Sequence, residues 1–187
     1  MRVFHSHALG IDLFLFPSQM SEFTRKIDTP VGEFVARFTV AGLCELRFPH
    51  QPRSAPTRSI PPRQTSQPPE IGVWADSTRR AIMAVLSGKV PDTLPPLDLS
   101  NGTHFQRKVW TAIAEIPPGQ TRTYSQLAAR IGHPKASRAV GQACGANPIP
   151  LLIPCHRVLP AAGGLGGFSA GAMWKKLLLE RERAIVG

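Results

Sequence analysis

Proline placement constrains this chain more than any other feature. Nineteen of its 187 residues are proline, and seven of them fall in residues 49–72, PHQPRSAPTRSIPPRQTSQPPEIG, a stretch without an aromatic residue. Proline fixes φ near about −65° and has no amide hydrogen to donate. The stretch therefore reads as neither helix nor central strand, but as a long loop inside or beside a first domain. Before it, residues 26–48 hold two β-like alternating runs parted by Ala41 and Gly42, a predicted hairpin. After it, residues 77–87 (STRRAIMAVLS) space apolar residues helically, with Ser77 as the cap and Gly88 as the stop. Residues 91–102 (PDTLPPLDLSNG) read as a linker by composition. The chain divides into residues 1–98 and 99–187, and no internal repeat is present.

The second part reads as a string of helices. Residues 103–115 place Phe105, Val109, Trp110 and Ile113 on one face behind a Thr103 cap, and Pro117, Pro118 and Gly119 end the helix. Residues 123–131 form a second helix, Gly132, His133 and Pro134 a turn, and residues 135–145 a third helix rich in Ala and Gly. Two short helices about a Gly-containing turn make a helix-turn-helix pattern. In the third helix Ala136, Ala139, Gly141, Ala143 and Gly145 leave Arg138 as the long side chain near its start. Such small residues serve either tight helix packing or close approach to a ligand, for instance a minor groove about 6 Å wide.

Charge follows the same division. The chain has 22 Lys and Arg against 12 Asp and Glu, a formal net charge of +10. Beyond Gly102 stand eleven basic residues and only Glu115, Glu180 and Glu182, so +8 of that charge lies in the second part and +2 in the first. A polyanionic partner fits this asymmetry, as does a merely solvated basic face. No run approaches eighteen apolar residues, so no membrane-spanning helix is expected. Asp12 and Pro17 interrupt the apolar patch at residues 13–16, and no signal peptide is expected. Three widely spaced cysteines make no disulfide framework and suit a reducing compartment.

A strand-like apolar run bracketed by prolines, residues 147–154, ends in Pro154-Cys155-His156-Arg157-Val158. A thiol reacts as its thiolate. His156 and Arg157 can supply a base and a positive charge if the chain bends at Cys155, and Pro154 favours the bend. A buried structural cysteine beside a capping histidine is the alternative, and it suits Cys44 and Cys144. No CxxC or HxxxH spacing is present, so no structural zinc is expected, although His5 and His7 could bind a metal adventitiously. The Gly-rich residues 163–167 lack the strand–helix setting of a phosphate or dinucleotide motif, and no cofactor is expected.

GTHFQRKVW, TYSQLAARIGHPKASRAVGQACGANPIPLLIPCHRV and GGFSAGAMWKKLLLERE together resemble the O6-alkylguanine-DNA alkyltransferases, the methylated-DNA–protein-cysteine methyltransferases. The resemblance runs from Gly102 to about Glu182; residues 26–48 match the family's N-terminal strands only loosely, and the proline-rich loop matches nothing. It implies an α/β (α+β) protein: a small antiparallel sheet plus helix, then an all-α domain with the helix-turn-helix. It also implies a DNA-repair protein that rotates an alkylated guanine out of the duplex from the minor groove and moves the alkyl group irreversibly to its own cysteine, once per molecule.

By the same resemblance Cys155 is the acceptor, His156 takes its proton through a water, and Glu182, with Glu180 as a confusable neighbour, orients the imidazole. Tyr124 hydrogen-bonds the base, Asn147 holds the active-site turn, and Arg138 fills the gap in the stack. Ala136, Ser137, Gly141 and Gln142 accompany Arg138 and Tyr124 at the DNA. Val158, Phe168, Ser169 and Arg157 line the guanine pocket; Phe168 stands where many relatives have tyrosine, so a pocket hydroxyl is absent. The expected partner is double-stranded DNA, bound by a monomer or cooperatively. The expected location is the cytoplasm at the nucleoid in a bacterium, or the nucleus in a eukaryote. A lesion sensor with an inert cysteine is the alternative function, although non-catalytic relatives replace the cysteine that is present here. A cysteine hydrolase would leave the helix-turn-helix and the charge unexplained.

Overall fold

A computed structural model describes residues 22–49 and 68–184. The readings made on the first twenty residues, His5 and His7 among them, and on the body of the proline-rich stretch lie outside the described residues. Three antiparallel strands come first: β1 (Phe23–Thr29), β2 (Gly32–Thr39) and β3 (Gly42–Arg47), in that order across the sheet. The predicted hairpin is β2–β3. A second hairpin, β1–β2, goes beyond the two runs visible in the sequence. Only Ile27 of β1 is fully buried, so its alternation is faint. Its turn closes at Thr29 opposite Gly32, whose φ of 118° favours glycine. On β2 the pleat sends Phe34, Ala36 and Phe38 inward, each with no exposed surface.

Helix α1 (Glu70–Leu86) covers the sheet and corrects two expectations. Residues 70–72, read as loop, are its first turn, and Ser77 is a buried mid-helix residue rather than the cap. The cap position belongs to Pro69, with φ −58°. A helix start leaves its first amides unpaired, so proline loses nothing there. Residues 91–102 are also more than a linker. Leu43 donates its N–H to the Pro96 carbonyl at 2.8 Å, and Asp98 donates to the Leu43 carbonyl at 2.8 Å, so this segment lies along β3. The buried Asp98 carboxylate accepts from Thr39 Oγ1 at 2.6 Å. Composition cannot show this, because the partner strand lies some fifty residues away in the chain.

Helix α2 (His104–Ala114) begins in a reciprocal capping box between Thr103 and Gln106, as α3 (Tyr124–Arg130) does between Thr123 and Gln126. Gly132, at φ 81°, turns the chain toward α4 (Ser137–Gly145), which starts two residues later than predicted, behind Ala136. Trp110 Nε1 donates to the Ala143 carbonyl at 2.8 Å and fixes α2 on α4. The second part is not purely helical. β4 (Arg122–Thr123) pairs in parallel with β5 (Val158–Leu159), tying the start of α3 to the segment after Cys155. Helix α5 (Ala172–Arg181) closes the described chain.

One cluster of buried side chains spans both parts, from Phe34, Leu46 and Ile82 to Val109, Val140, Ile153 and Leu178. The Leu46 N–H donates to the Pro148 carbonyl at 2.9 Å, so the sheet directly holds the loop before Cys155. No described helix is long and apolar enough to cross a membrane.

Candidate active site

Residues 147–154 are not the strand that their apolar character suggests. They form tight turns, with Leu151 at φ 81° and Ile153 N–H donating to the Ile149 carbonyl at 2.9 Å. A left-handed non-glycine residue costs roughly 1–2 kcal/mol. Asn147 offsets that cost by bridging the turn with its side-chain amide. Its Oδ1 accepts from Ile149 N–H at 3.0 Å, and its Nδ2 donates to the Ile153 carbonyl at 2.8 Å. The same Nδ2 lies 3.2 Å from Cys155 Sγ. Pro154 then leads into a 3₁₀ turn, Cys155–Arg157, whose three side chains are all buried.

Burial pushes the Cys155 thiol above its ordinary pKa, against the opposing pull of Asn147 and the Lys175 cation. The resting side chain is therefore a protonated thiol at neutral pH, 5% exposed, and needs a base to become nucleophilic. His156, which has no exposed surface, sits next to it. Burial lowers the imidazole pKa, with Glu182 pulling the other way, so the ring is neutral. Its Nε2 is 2.9 Å from Glu182 Oε1. Burial alone would raise Glu182, but hydrogen bonds from His156 and Arg157, with the Arg157 charge, bring it down to about 2. An ionised carboxylate only accepts, which assigns the proton to Nε2 and leaves Nδ1 as the basic nitrogen. Nδ1 is buried and has no hydrogen-bond partner among the described residues. Glu180, by contrast, is exposed and lies 3.8 Å from Lys176.

Arg157 differs from its expected place on the pocket wall. Its Nε and Nη2 donate to the two Glu182 oxygens at 2.9 and 2.8 Å, and Nη1 donates to the Ile116 carbonyl. Its charge is thus directed at Glu182, and the cation that acts on the thiol is Lys175. This residue was not legible in the sequence, where two adjacent lysines open an ordinary-looking helix. Lys175 has no exposed surface, and its Nζ donates to the carbonyls of Val158 at 2.8 Å and Gly167 at 3.2 Å. Only its burial distinguishes it from exposed Lys176.

Phe168 stacks edge-on against His156 at 6.2 Å and Phe48 at 5.7 Å, while Ser169 is exposed beside it. Tyr124, half-buried at the start of α3, lies with its ring beside Gly141 and its hydroxyl near Gly166. Burial raises its pKa, with Cys144 and Cys155 adding to the rise. On α4 the inner face is Val140, Ala143 and Cys144, whereas Arg138 and Gln142 are exposed, and Ala136, Ser137 and Gly141 are partly exposed. A Cβ on Gly141 would meet nothing nearer than the Tyr124 ring at 3.9 Å, and one on Gly145 would meet nothing within 4 Å. Packing inside the protein therefore demands neither glycine. Among the described residues no group of three His, Cys, Asp or Glu side chains could hold a metal ion.

Comparison with known proteins addresses the same residues. The family described as 6-O-methylguanine DNA methyltransferase, DNA binding domain, matches residues 104–184. The methylated-DNA–protein-cysteine methyltransferase of Mycobacterium bovis is 38% identical over 160 residues, 86% of this chain and 92% of its own. The Mycobacterium leprae protein of that name is 36% identical over 85% of this chain and 91% of its own. The chain belongs to the methylated-DNA–protein-cysteine methyltransferase family. Among solved structures, a Mycobacterium tuberculosis OGT in complex with DNA superposes with a TM-score of 0.69 at 36% identity, covering 86% of this chain and 92% of that one. The sheet–helix part and the helix-turn-helix part thus share the fold of this methyltransferase family across nearly the whole chain. The family match starts at α2 and ends beyond Glu182, so it takes in every site side chain named above except Phe48.

Proposed function

We infer that this protein repairs DNA by taking the alkyl group of an O6-alkylguanine onto Cys155, through a base rotated out of the duplex on the minor-groove side. The observation that carries the reading is the buried run Cys155–His156–Glu182, with one uncommitted basic nitrogen in the middle. In the reaction, His156 Nδ1 takes the thiol proton through a bridging water. The sulfur lone pair attacks the alkyl carbon, the carbon–O6 bond breaks, and its electron pair returns to the guanine. Glu182, kept ionised by Arg157, steadies the imidazolium that forms. Lys175 favours the thiolate and holds the Val158 and Gly167 carbonyls in place; the remaining lone pair of the Val158 carbonyl can then receive the guanine amine. Asn147 fixes the sulfur, and the Tyr124 hydroxyl donates toward the charge developing on the base.

The product is a thioether, and nothing in this site activates water against one, so each molecule acts once and no cofactor takes part. Arg138 occupies the gap in the base stack, and Ala136, Ser137, Gly141 and Gln142 lie against the groove, with small side chains where the backbone comes closest. Phe168 and Ser169 complete the pocket wall. Residues 99–187 carry DNA binding and chemistry, and residues 1–98 support them. The protein acts as a monomer or cooperatively along DNA, in the cytoplasm at the nucleoid of a bacterium or in the nucleus of a eukaryote.

Intact-protein mass after mixing with excess duplex holding one O6-methylguanine tests the reading. The expected result is a gain of one methylene per chain, mapped to the Cys155 peptide and absent from Cys155→Ala. Tight lesion binding without a mass gain would instead make the protein a sensor, and a gain on another peptide would overturn the assignment of Cys155.

A further inference from the structure

The basic excess of the second part is not exhausted by α4, whose one long cation is Arg138. An open groove runs between α2 and α3, lined by His104, Arg107, Lys108 and Arg130, with Glu115 at one end and Arg122 continuing the line past Arg130. On α2 the residues at 104, 108, 111 and 115 follow helical spacing along one face. This face is distinct from the one carrying Val109, Trp110 and Ile113 into the core. Glu115 is the sole carboxylate on the groove, and it is spent on Arg130 at 2.6 Å. Arg107 donates to the Ser100 and Gly102 carbonyls, which fixes its guanidinium without neutralising it. Arg107, Lys108, Arg122 and Arg130 thus face one carboxylate across an open surface, a layout that suits a string of phosphates better than a compact ligand.

Its position names the source of those phosphates. Both α2 and α3 pack on α4, so the groove belongs to the same group of helices as the one proposed to meet the duplex. Helix α2 is 11 residues long, about 16 Å at 1.5 Å per residue. That length corresponds to roughly five phosphates along one strand. We propose that the α2–α3 groove holds the backbone of the same duplex beyond the lesion, extending the footprint past the nucleotides that α4 contacts. The proposal rests on the DNA-repair reading above. It predicts that affinity depends on flanking length, with Lys108 and Arg107 contributing directly and Arg130 contributing only as far as Glu115 releases it.

Fluorescence anisotropy on the full chain tests this with two hairpin-closed duplexes carrying a central O6-methylguanine, one of about 8 base pairs and one of about 24, across a salt series. Lys108→Glu is expected to bind the long duplex about tenfold more weakly, with a salt slope smaller by about one to two, and to bind the short one as the unmodified protein does. Glu115→Gln is expected to act in the opposite sense, tightening the long duplex several-fold, which general surface damage would not do. Equal losses on both duplexes, or no response to either substitution, would overturn the groove. Methyl uptake from the short duplex, read by intact mass, reports the repair reading separately: its loss in the unmodified protein would overturn that reading, whatever the groove does.

Discussion

The loop before Cys155 and the outer face of α4 solve opposite problems with neighbouring stretches of chain. From Ile149 to Leu159 every residue is buried, and among the buried side-chain nitrogen and oxygen atoms of this stretch only His156 Nδ1 lacks a hydrogen-bond partner within the described residues. Along α4, Arg138, Gln142 and Gly145 face solvent, and the glycines have open space where a side chain would stand. Groups that must move a proton are held by the protein, because a misplaced donor or base loses its catalytic effect. Groups that meet a large partner are left bare, because the partner itself completes their contacts. An unsatisfied atom means something different in each region. On the proposed reading, the unpartnered Nδ1 is where proton transfer starts, and the open space along α4 is where the duplex sits.

Replacing Glu182 breaks the held side of this comparison most severely. Glu182→Gln is expected to slow methyl transfer by about 10²-fold or more. It should also cost on the order of 3 kcal/mol of stability, since Arg157 is left buried without its counter-charge. Single-turnover kinetics and chemical denaturation read the two effects, and a variant with normal transfer would remove Glu182 from the mechanism.

Acid should act on the same group. Its folded pKa, about 2, lies below the ordinary 4.5, so its contribution is complete above pH 4.5 and is lost as the pH falls toward 2. His156 is shifted downward as well, and its stabilising contribution begins to fall below the ordinary imidazole range. Both act in one direction. Stability should drop by about 3 kcal/mol between about pH 5 and pH 2, separately from the alkaline loss that ionising the buried thiols of Cys44 and Cys144 would bring. Denaturation curves for the unmodified protein and Glu182→Gln should converge in acid; parallel curves would contradict the assignment.

The bare side gives smaller effects that depend on the DNA. Arg138→Ala should leave stability unchanged and slow repair of duplex by about tenfold, against little change with free O6-methylguanine, because it offsets an unstacking cost of a few kcal/mol. Equal slowing on both substrates would place Arg138 in the chemistry instead. Gly141→Ala should be the mildest. The added methyl finds room beside Tyr124, and alanine stabilises a helix by up to about 1 kcal/mol over glycine. Melting temperature should therefore hold or rise while affinity for lesion duplex falls several-fold. A destabilised but normally binding variant would show that Gly141 serves packing after all.

Where local chemistry decided the outcome, the residues alone were sufficient. Thr103 caps α2, as the residues suggest, because its box with Gln106 is a four-residue interaction. Gly132 and Pro134 break α3 from α4, and the Pro-Cys-His-Arg segment and the basic second half are plain in the chain itself. Elsewhere the sequence misled for identifiable reasons. Apolar residues 149–153 read as a strand because nothing local reveals that Asn147 folds them into a turn. Residues 96–98 read as linker because their pairing partner is β3.

Lys175 and Arg157 mark the deeper limit. The resemblance chose Glu182 over Glu180, but it set Arg157 on the pocket wall and left Lys175 unmarked. Adjacent lysines are chemically identical until packing buries one and exposes the other. The residue types for a thiol, a base and a carboxylate were written in the sequence. Which cation holds the carboxylate and which one favours the thiolate depends on burial and distance, and only the tertiary structure fixes those.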